Sequence, residues 1–390
     1  MSDVALNPIL DRVFRSNPAY ELLPFGRLPP DQQELLRDLT SDPDFYGVLR
    51  PRAAGVGSVK SVCRDTALLV HTLLQPGPLP HYLRQTSDEH SNQAVAELVL
   101  DGVLEIGHEG RFVSGPEAYG IVYASHAPPE CKGLLPRLSQ AALEYGQALV
   151  IDDTVRLSER LYFYNRIPLT PHWTRRLPSA DAVAEFLGLS DPTVKERLRK
   201  KWSSVEPFAP HRGWFQWRSR FANQDGGYGY KLYISPRPDA MPDVFRAVVE
   251  TLDESGADHF KVGCDPVGLL RPDKLIVYFG DFEPLRRVAH DLTLPLSGCP
   301  AQGVPFTAAL GDDGLLSWGV DPLPEKGALA WQGPESWRLW VTNRLAAALV
   351  SARNNLPGTL QPWQFALERL RLENVDTATW TPAFSNAVPV

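Results

Sequence analysis

Along YKLYIS, residues 230–235, apolar and polar positions alternate strictly. Tyr230, Leu232 and Ile234 share one face of a strand, and Lys231, Tyr233 and Ser235 share the other. In PDVFRAVVETLDESG the period becomes helical, with Val244, Val248 and Leu252 as the inward stripe and Gly256 as the stop. DHFKVG alternates again: Phe260 and Val262 face a core, while His259 and Lys261 face away. RPDKLIVYFGD is more apolar and reads as a central strand, entered by Arg271 and Lys274. In GDDGLLSWGVDP the glycines mark a hairpin turn, so Asp312 and Asp313 are turn residues and not a carboxylate dyad. Residues 226–325 are therefore expected to form a mixed α/β core around a small sheet.

The same patterning divides the rest of the chain. Residues 1–62 read as a helical lead-in broken by proline (PPDQQELLRDL, DPDFYGVLRP). In residues 63–128, ALLVHTLL and LPHYLR predict short helices parted by a QPGP breaker. SNQAVAELVLDGVL adds a longer helix with Val95, Leu98 and Val99 at helical spacing. VLEIGHEGRFVSG alternates on both sides of a His-Glu-Gly turn and predicts a hairpin, so three helices and a hairpin make a winged-helix-like unit. Residues 129–225 form a helical, irregular connecting region that ends at a boundary signal, NQDGGYG. Residues 326–390 form a helical C-terminal unit in which Trp337, Val341, Leu345 and Leu349 recur every four positions. The fold class is α+β.

Composition narrows the functions. Apolar residues at 43% and charged residues at 22% are ordinary for a globular chain, and 36 prolines predict well-punctuated, loop-rich structure. A net charge of −7 disfavours nucleic acid as a partner. Cys63, Cys131, Cys264 and Cys299 are scattered, with no CxxC pair and no Cys/His cluster, so neither zinc nor a disulfide framework is expected. His71, His81, His108 and His126 likewise stand at no ligand-like spacing. The N-terminal residues lack a signal-peptide pattern, and no window holds the run of about 18 apolar residues that a membrane helix needs. A cytoplasmic protein without membrane contact is expected. No GxSxG, HExxH, GxGxxG or GxxxxGK[ST] motif occurs.

In this acidic chain, the polar face of the 226–325 sheet gathers Lys231, Tyr233, His259 and Lys261, with Arg271 and Lys274 nearby. Such a cluster points to an anion site, with phosphate as the natural occupant. A plain solvated strand face, with lysines guarding an edge, is the alternative.

The run YKLYISPRPDAMPDVFRAVVETL, continued by HFKVGCDPVGLLRPDKLIVYFGD, resembles the phosphothreonine/phosphoserine lyase region of class III and IV lanthipeptide synthetases. It is more similar still to the Hop-type effector family, whose bacterial relatives accompany a separate kinase in class V lanthipeptide and thioamitide clusters. The resemblance covers about 100 of the 390 residues. It implies β-elimination of phosphate from phosphorylated Ser or Thr in a ribosomal precursor peptide, leaving dehydroalanine or dehydrobutyrine, with no cofactor or metal. A separate Ser/Thr peptide kinase is implied as partner. By the same resemblance Lys261 is the base at the α-carbon and Lys231 and Arg271 contact phosphate; Lys274, in the first turn of the same strand, is a further phosphate-binding candidate. Where the family has a histidine as general acid two residues after the first lysine, this chain has Tyr233. Tyr233, His259 or no acid at all could then serve the departing phosphate, or catalysis has been lost.

Two other readings follow from that departure. One is a non-catalytic scaffold holding the precursor or the kinase; the other is a winged-helix regulator, which the charge of residues 63–128 fits poorly. There Arg64, Arg84 and Arg111 are outnumbered by Asp65, Asp88, Glu89, Glu97, Asp101, Glu105 and Glu109. In peptide-modifying systems a similar module captures a precursor's leader as an added strand. The aromatic runs LYFYNRIPLTPHW and HRGWFQWRSRF read as packing or a peptide groove, and KERLRKKW as a solvated helix face.

Overall fold

The computed structural model describes residues 6–53, 58–85, 89–124, 132–205, 213–221, 229–322, 333, 335–353 and 360–382. The boundary signal at 223–228, Cys131, His126 and Asp88 lie outside them. The residues expected to be a helical lead-in carry four strands instead: β1 (Val13–Ser16), β2 (Tyr20–Pro24), β3 (Phe45–Pro51) and β4 (Lys60–Cys63). Among the described residues there, only Pro30–Leu35, within PPDQQELL, forms an α-helix. The sequence expectation weighed that one helical signal and the prolines above the aromatic and branched residues of YELLP and FYGVLRP, which pair as β2–β3.

Helices Arg64–Thr72, His81–Gln85 and Glu89–Leu100 follow in the expected order. Between the first two, β5 (Gly77–Pro78) falls at the proline breaker. The hairpin of β6 (Leu104–His108) and β7 (Arg111–Val113) turns through Glu109 and Gly110, both at positive φ. These strands make a sheet of order β5-β1-β6-β7, so β1 enters from outside the 63–128 stretch.

After five helices between Leu134 and Lys201 comes a seven-stranded, wholly antiparallel sheet. Its members are β8 (Trp202–Ser204), β9 (Trp214–Ser219), β10 (Tyr230–Ile234), β11 (His259–Gly263), β12 (Leu275–Phe279), β13 (Ala308–Ala309) and β14 (Leu316–Val320). The spatial order is β13-β14-β10-β12-β11-β9-β8, which puts β12 at the centre, as its apolar composition implies. Strands β8 and β9 come from the expected connecting region and extend one side of the sheet.

Two large cores result. One packs helices Met241–Thr251 and Phe282–Thr293 on the sheet face that carries Leu232, Ile234, Phe260, Val262 and Val277. The other joins the Glu89–Leu100 helix and β6 to helices Leu134–Ala148, Thr154–Tyr162, Trp337–Ala352 and Pro362–Leu372. Trp337, Val341, Leu345 and Leu349 are all fully buried in this second core. The opposite, polar face of the seven-stranded sheet lies along the seam between the two.

One tight approach sets the loop that feeds this face. After β11 the chain turns through the short helix Pro266–Leu269, and a Cβ on Gly263 would stand 2.5 Å from the backbone carbon of Gly268. Backbone cannot step aside as a flexible side chain can. Gly263→Ala should therefore destabilise the protein by about 1–3 kcal/mol, the usual cost of overpacking, read as a lowered melting temperature. An unchanged Tm would show that the loop yields.

Candidate active site

Strand register arranges the polar face in rows. Tyr278 of β12 stands directly opposite Lys231 of β10 on one side and His259 of β11 on the other. The next row runs Tyr233, Ile276, Lys261, Gln216 across β10, β12, β11 and β9. Cross-strand partners share a face, so these side chains rise from one side of the sheet. Helices and loops cover most of it: Lys231 is only 6% exposed and Tyr233 2%, so the face is not a solvated one.

Lys231 is ion-paired with Asp321, which follows β14, at 2.5 Å. The other carboxylate oxygen of Asp321 accepts from the backbone N–H of Trp337 at 2.8 Å, tying Lys231 to the start of the Trp337–Ala352 helix. Arg271 lies in the loop before β12. Its Nε and Nη2 donate to the two oxygens of Asp273 at 2.8 and 2.9 Å, and Nη2 also donates to the Tyr162 hydroxyl at 3.3 Å. Arg338 brings a second guanidinium to Asp273, with Nη1 2.9 Å from Oδ2, and Tyr162 donates to the same oxygen at 3.0 Å. Burial pushes the Asp273 carboxyl up, but Arg338 and Arg271 outweigh it and hold the group well below the usual carboxylate range. The Arg271 guanidinium also stacks near Trp214, 5.1 Å from the ring centroid.

Lys261 differs from its neighbours. Its ammonium nitrogen makes no hydrogen bond and no ion pair among the described residues, lying 4.6 Å from the Trp214 ring centroid and 5.4 Å from that of Tyr278. Lys231 sits 5.4 Å from the same Tyr278 ring. Burial, then the charge of Lys231, lower the Lys261 pKa from 10.5 to about 8; Arg271 pushes the same way, and Asp273 and Asp321 oppose it. An amine that is neutral at a useful fraction near pH 8 can accept a proton from carbon.

The remaining sequence candidates divide. Tyr233 lies in this cluster, and burial holds its hydroxyl protonated, well above the ordinary tyrosine value. His259 is half-buried, its ring 4.8 Å from that of Tyr278. Lys274 points elsewhere: it is fully buried and donates to Pro236 O at 2.9 Å and Gln302 Oε1 at 2.6 Å. The structure thus gathers Lys231, Tyr233, His259, Lys261 and Arg271, and sets Lys274 apart as a tie between loops.

Solved structures that match part of this chain include phosphothreonine lyases. The type III effector/phosphothreonine lyase OspF from Shigella flexneri is 14% identical, covering 32% of this chain and 74% of its own, with a TM-score of 0.27. Phosphothreonine lyase SpvC, a Salmonella effector, is 16% identical over 53% of this chain and 98% of its own, at 0.28. An effector protein from Pseudomonas syringae pv. tomato covers 63% of this chain and 96% of its own, at 13% identity and 0.37. No protein-family model and no curated protein matches the sequence. Overlaps this partial leave the chemistry to be read from the side chains.

Several members of the site escaped the sequence reading. Asp273, Asp321, Tyr162, Arg338, Trp214, Gln216 and Tyr278 come from six separate elements or loops and meet only in three dimensions. Tyr162, Trp214 and Gln216 lie in the two aromatic runs read as packing or a peptide groove, and Arg338 stands as a charged residue inside an otherwise apolar helical run, WRLWV. Among the described residues no group of His, Cys, Asp and Glu could hold a metal, and Cys63, Cys264 and Cys299 are free thiols. No helix of the described residues is long and apolar enough to cross a membrane.

Asp273→Asn would strand two guanidiniums, and should cost about 3–5 kcal/mol in denaturant unfolding. Because its folded pKa is depressed, the stabilisation from Asp273 is present above the ordinary carboxylate range, about pH 4, and is lost as pH falls below it. The variant's stability should accordingly vary less than the wild type's between about pH 5 and pH 2; parallel curves would contradict the assigned role.

Proposed function

We propose that the protein is a lyase that removes phosphate from phosphorylated Ser or Thr of a peptide by β-elimination. The supporting observation is Lys261: a half-buried amine with no ionic or hydrogen-bonded partner among the described residues, set among Lys231, Arg271 and two aromatic rings. At pH 7 a pKa of about 8 leaves about one amine in ten neutral, against about one in three thousand for an ordinary lysine. That difference favours a base over a plain anion-binding ammonium.

In this reading Lys231 and the outer edge of Arg271 hold the phosphate. Nη1 of Arg271 carries no hydrogen bond among the described residues, so a phosphate oxygen can be met without breaking the Asp273 fork. Lys261 takes the α-proton, the electron pair moves into the new Cα–Cβ double bond, and the Cβ–O bond breaks. From a phosphate dianion the departing group would be a trianion, basic enough to draw a proton even from a tyrosine. Tyr233, held protonated and with no hydrogen bond on its hydroxyl among the described residues, is suited to supply it. The products are a dehydrated residue and hydrogen phosphate, and solvent returns the proton from Lys261 to Tyr233. The precursor-peptide substrate and the separate kinase rest on the sequence resemblance.

Mass spectrometry of a phosphorylated Ser/Thr peptide incubated with the protein, without metal or nucleotide, tests the reading. Loss of one phosphoric acid that disappears in Lys261→Ala is the expected result; binding without loss would favour the scaffold. The base must be neutral to act, so kcat/KM should rise with pH up to about 8 and level off above it. Tyr233→Phe should slow elimination by about 10²–10⁴-fold, the range for a lost general acid. A fully active Tyr233→Phe enzyme would reassign the proton to His259 or to water.

A further inference from the structure

Gln216 stands directly opposite Lys261 on the neighbouring strand β9, so the two side chains rise together from the same face. It is 6% exposed, and its amide nitrogen is buried with no hydrogen-bond partner among the described residues. The side chains before and after it behave differently. Trp214 shares the site face and covers Lys261, whereas Phe215 and Trp217 pack into the core on the far side. A buried amide donor left unmatched costs about 1–3 kcal/mol, and an apolar residue of similar length would avoid that cost. Such a group beside the base calls for an acceptor that arrives with the ligand.

The elimination chemistry supplies one. Removing the α-proton pushes charge onto the carbonyl oxygen of the same residue, which becomes enolate-like before the phosphate departs. With Lys261 at the α-carbon, the carbonyl is one bond away from the atom the base attacks. In the lyase reading Lys231 and Arg271 are taken up by the phosphate, which leaves the carbonyl to another donor. We infer that Gln216 is a catalytic residue that donates a hydrogen bond from its amide to the substrate carbonyl as the enolate develops. The inference rests on the lyase reading and adds the electrophilic half of the α-proton transfer. Gln216 gives no proton away: the proton goes to Lys261 and the electron pair passes through the enolate to the Cβ–O bond.

Two properties should then move in opposite directions. Gln216→Met removes the unmatched donor while keeping an unbranched side chain. It should lower kcat by about a hundredfold or more, as loss of one oxyanion donor does, with KM for a phosphopeptide nearly unchanged. The same variant should melt at a higher temperature than the wild type, because the buried unpaired amide is gone. Gln216→Glu, equal in shape but without the donor, should lose activity too. Its added negative charge should shift the rise of the pH profile to higher pH, acting with Asp273 and Asp321 to stabilise the Lys261 ammonium against Lys231 and Arg271. An active wild type with an equally active Gln216→Met variant overturns this role alone. A loss of activity accompanied by a lowered melting temperature and a raised KM also overturns it, in favour of a structural role. A wild type that binds phosphopeptide and eliminates nothing overturns the lyase reading itself.

Discussion

The site depends on one buried carboxylate. Asp273 is 1% exposed, and burying a lone ion of that kind costs several kcal/mol even after relaxation. Two guanidiniums and the Tyr162 hydroxyl offset that cost. Arg271 reaches Asp273 from the loop before β12, whereas Arg338 comes from the first turn of the Trp337–Ala352 helix, which belongs to the other core. The same contact therefore pins the two cores at their seam and fixes which edge of Arg271 remains available. A salt bridge with this geometry holds position; it need not add stability beyond what apolar packing would give.

Charge across the sheet face follows from that anchor. Lys231 has Asp321, Arg271 and Arg338 share Asp273, and among the described residues Lys261 has only aromatic rings. The charges of Lys231 and Arg271, added to burial, bear on an amine that has no ion pair among the described residues. Lys274 shows that burial by itself does not make a base for this site. It is the more deeply buried of the two, with a pKa lowered to about 7 by burial, yet its nitrogen is committed to Pro236 and Gln302. Position at the face, more than the size of the shift, separates the two lysines.

The C-terminal helices are part of the same device. Asp321 holds Lys231 with one oxygen and the Trp337 backbone with the other, and Trp337 donates from its indole to Phe306 O at 3.0 Å. A Cβ on Gly319, the β14 residue opposite Lys231, would stand 2.4 Å from the Trp337 ring, so the helix starts hard against the sheet. Residues far apart in sequence thereby share responsibility for one cation.

Periodicity by itself determined the elements whose burial is one-sided. The alternation of YKLYIS and HFKVG put Lys231, Tyr233, His259 and Lys261 on one face, because side chains in a strand must alternate. The helical stripes of Val244, Val248 and Leu252, and of Trp337 through Leu349, were legible for the corresponding reason. The strands at the start of the chain were not, since proline and one short helical motif dominate the local signal there and only pairing with β3 decides between them. Nor could sequence show that β8 and β9 join the sheet, which required register with β11 across a long separation. The partners of the site residues, Asp321, Asp273, Arg338, Trp214 and Gln216, belong wholly to the tertiary structure. Charge pairing and desolvation depend on distances between segments, and no local pattern encodes those distances. The sequence thus supplied the row of basic and polar groups, and folding decided which of them would be left without a partner.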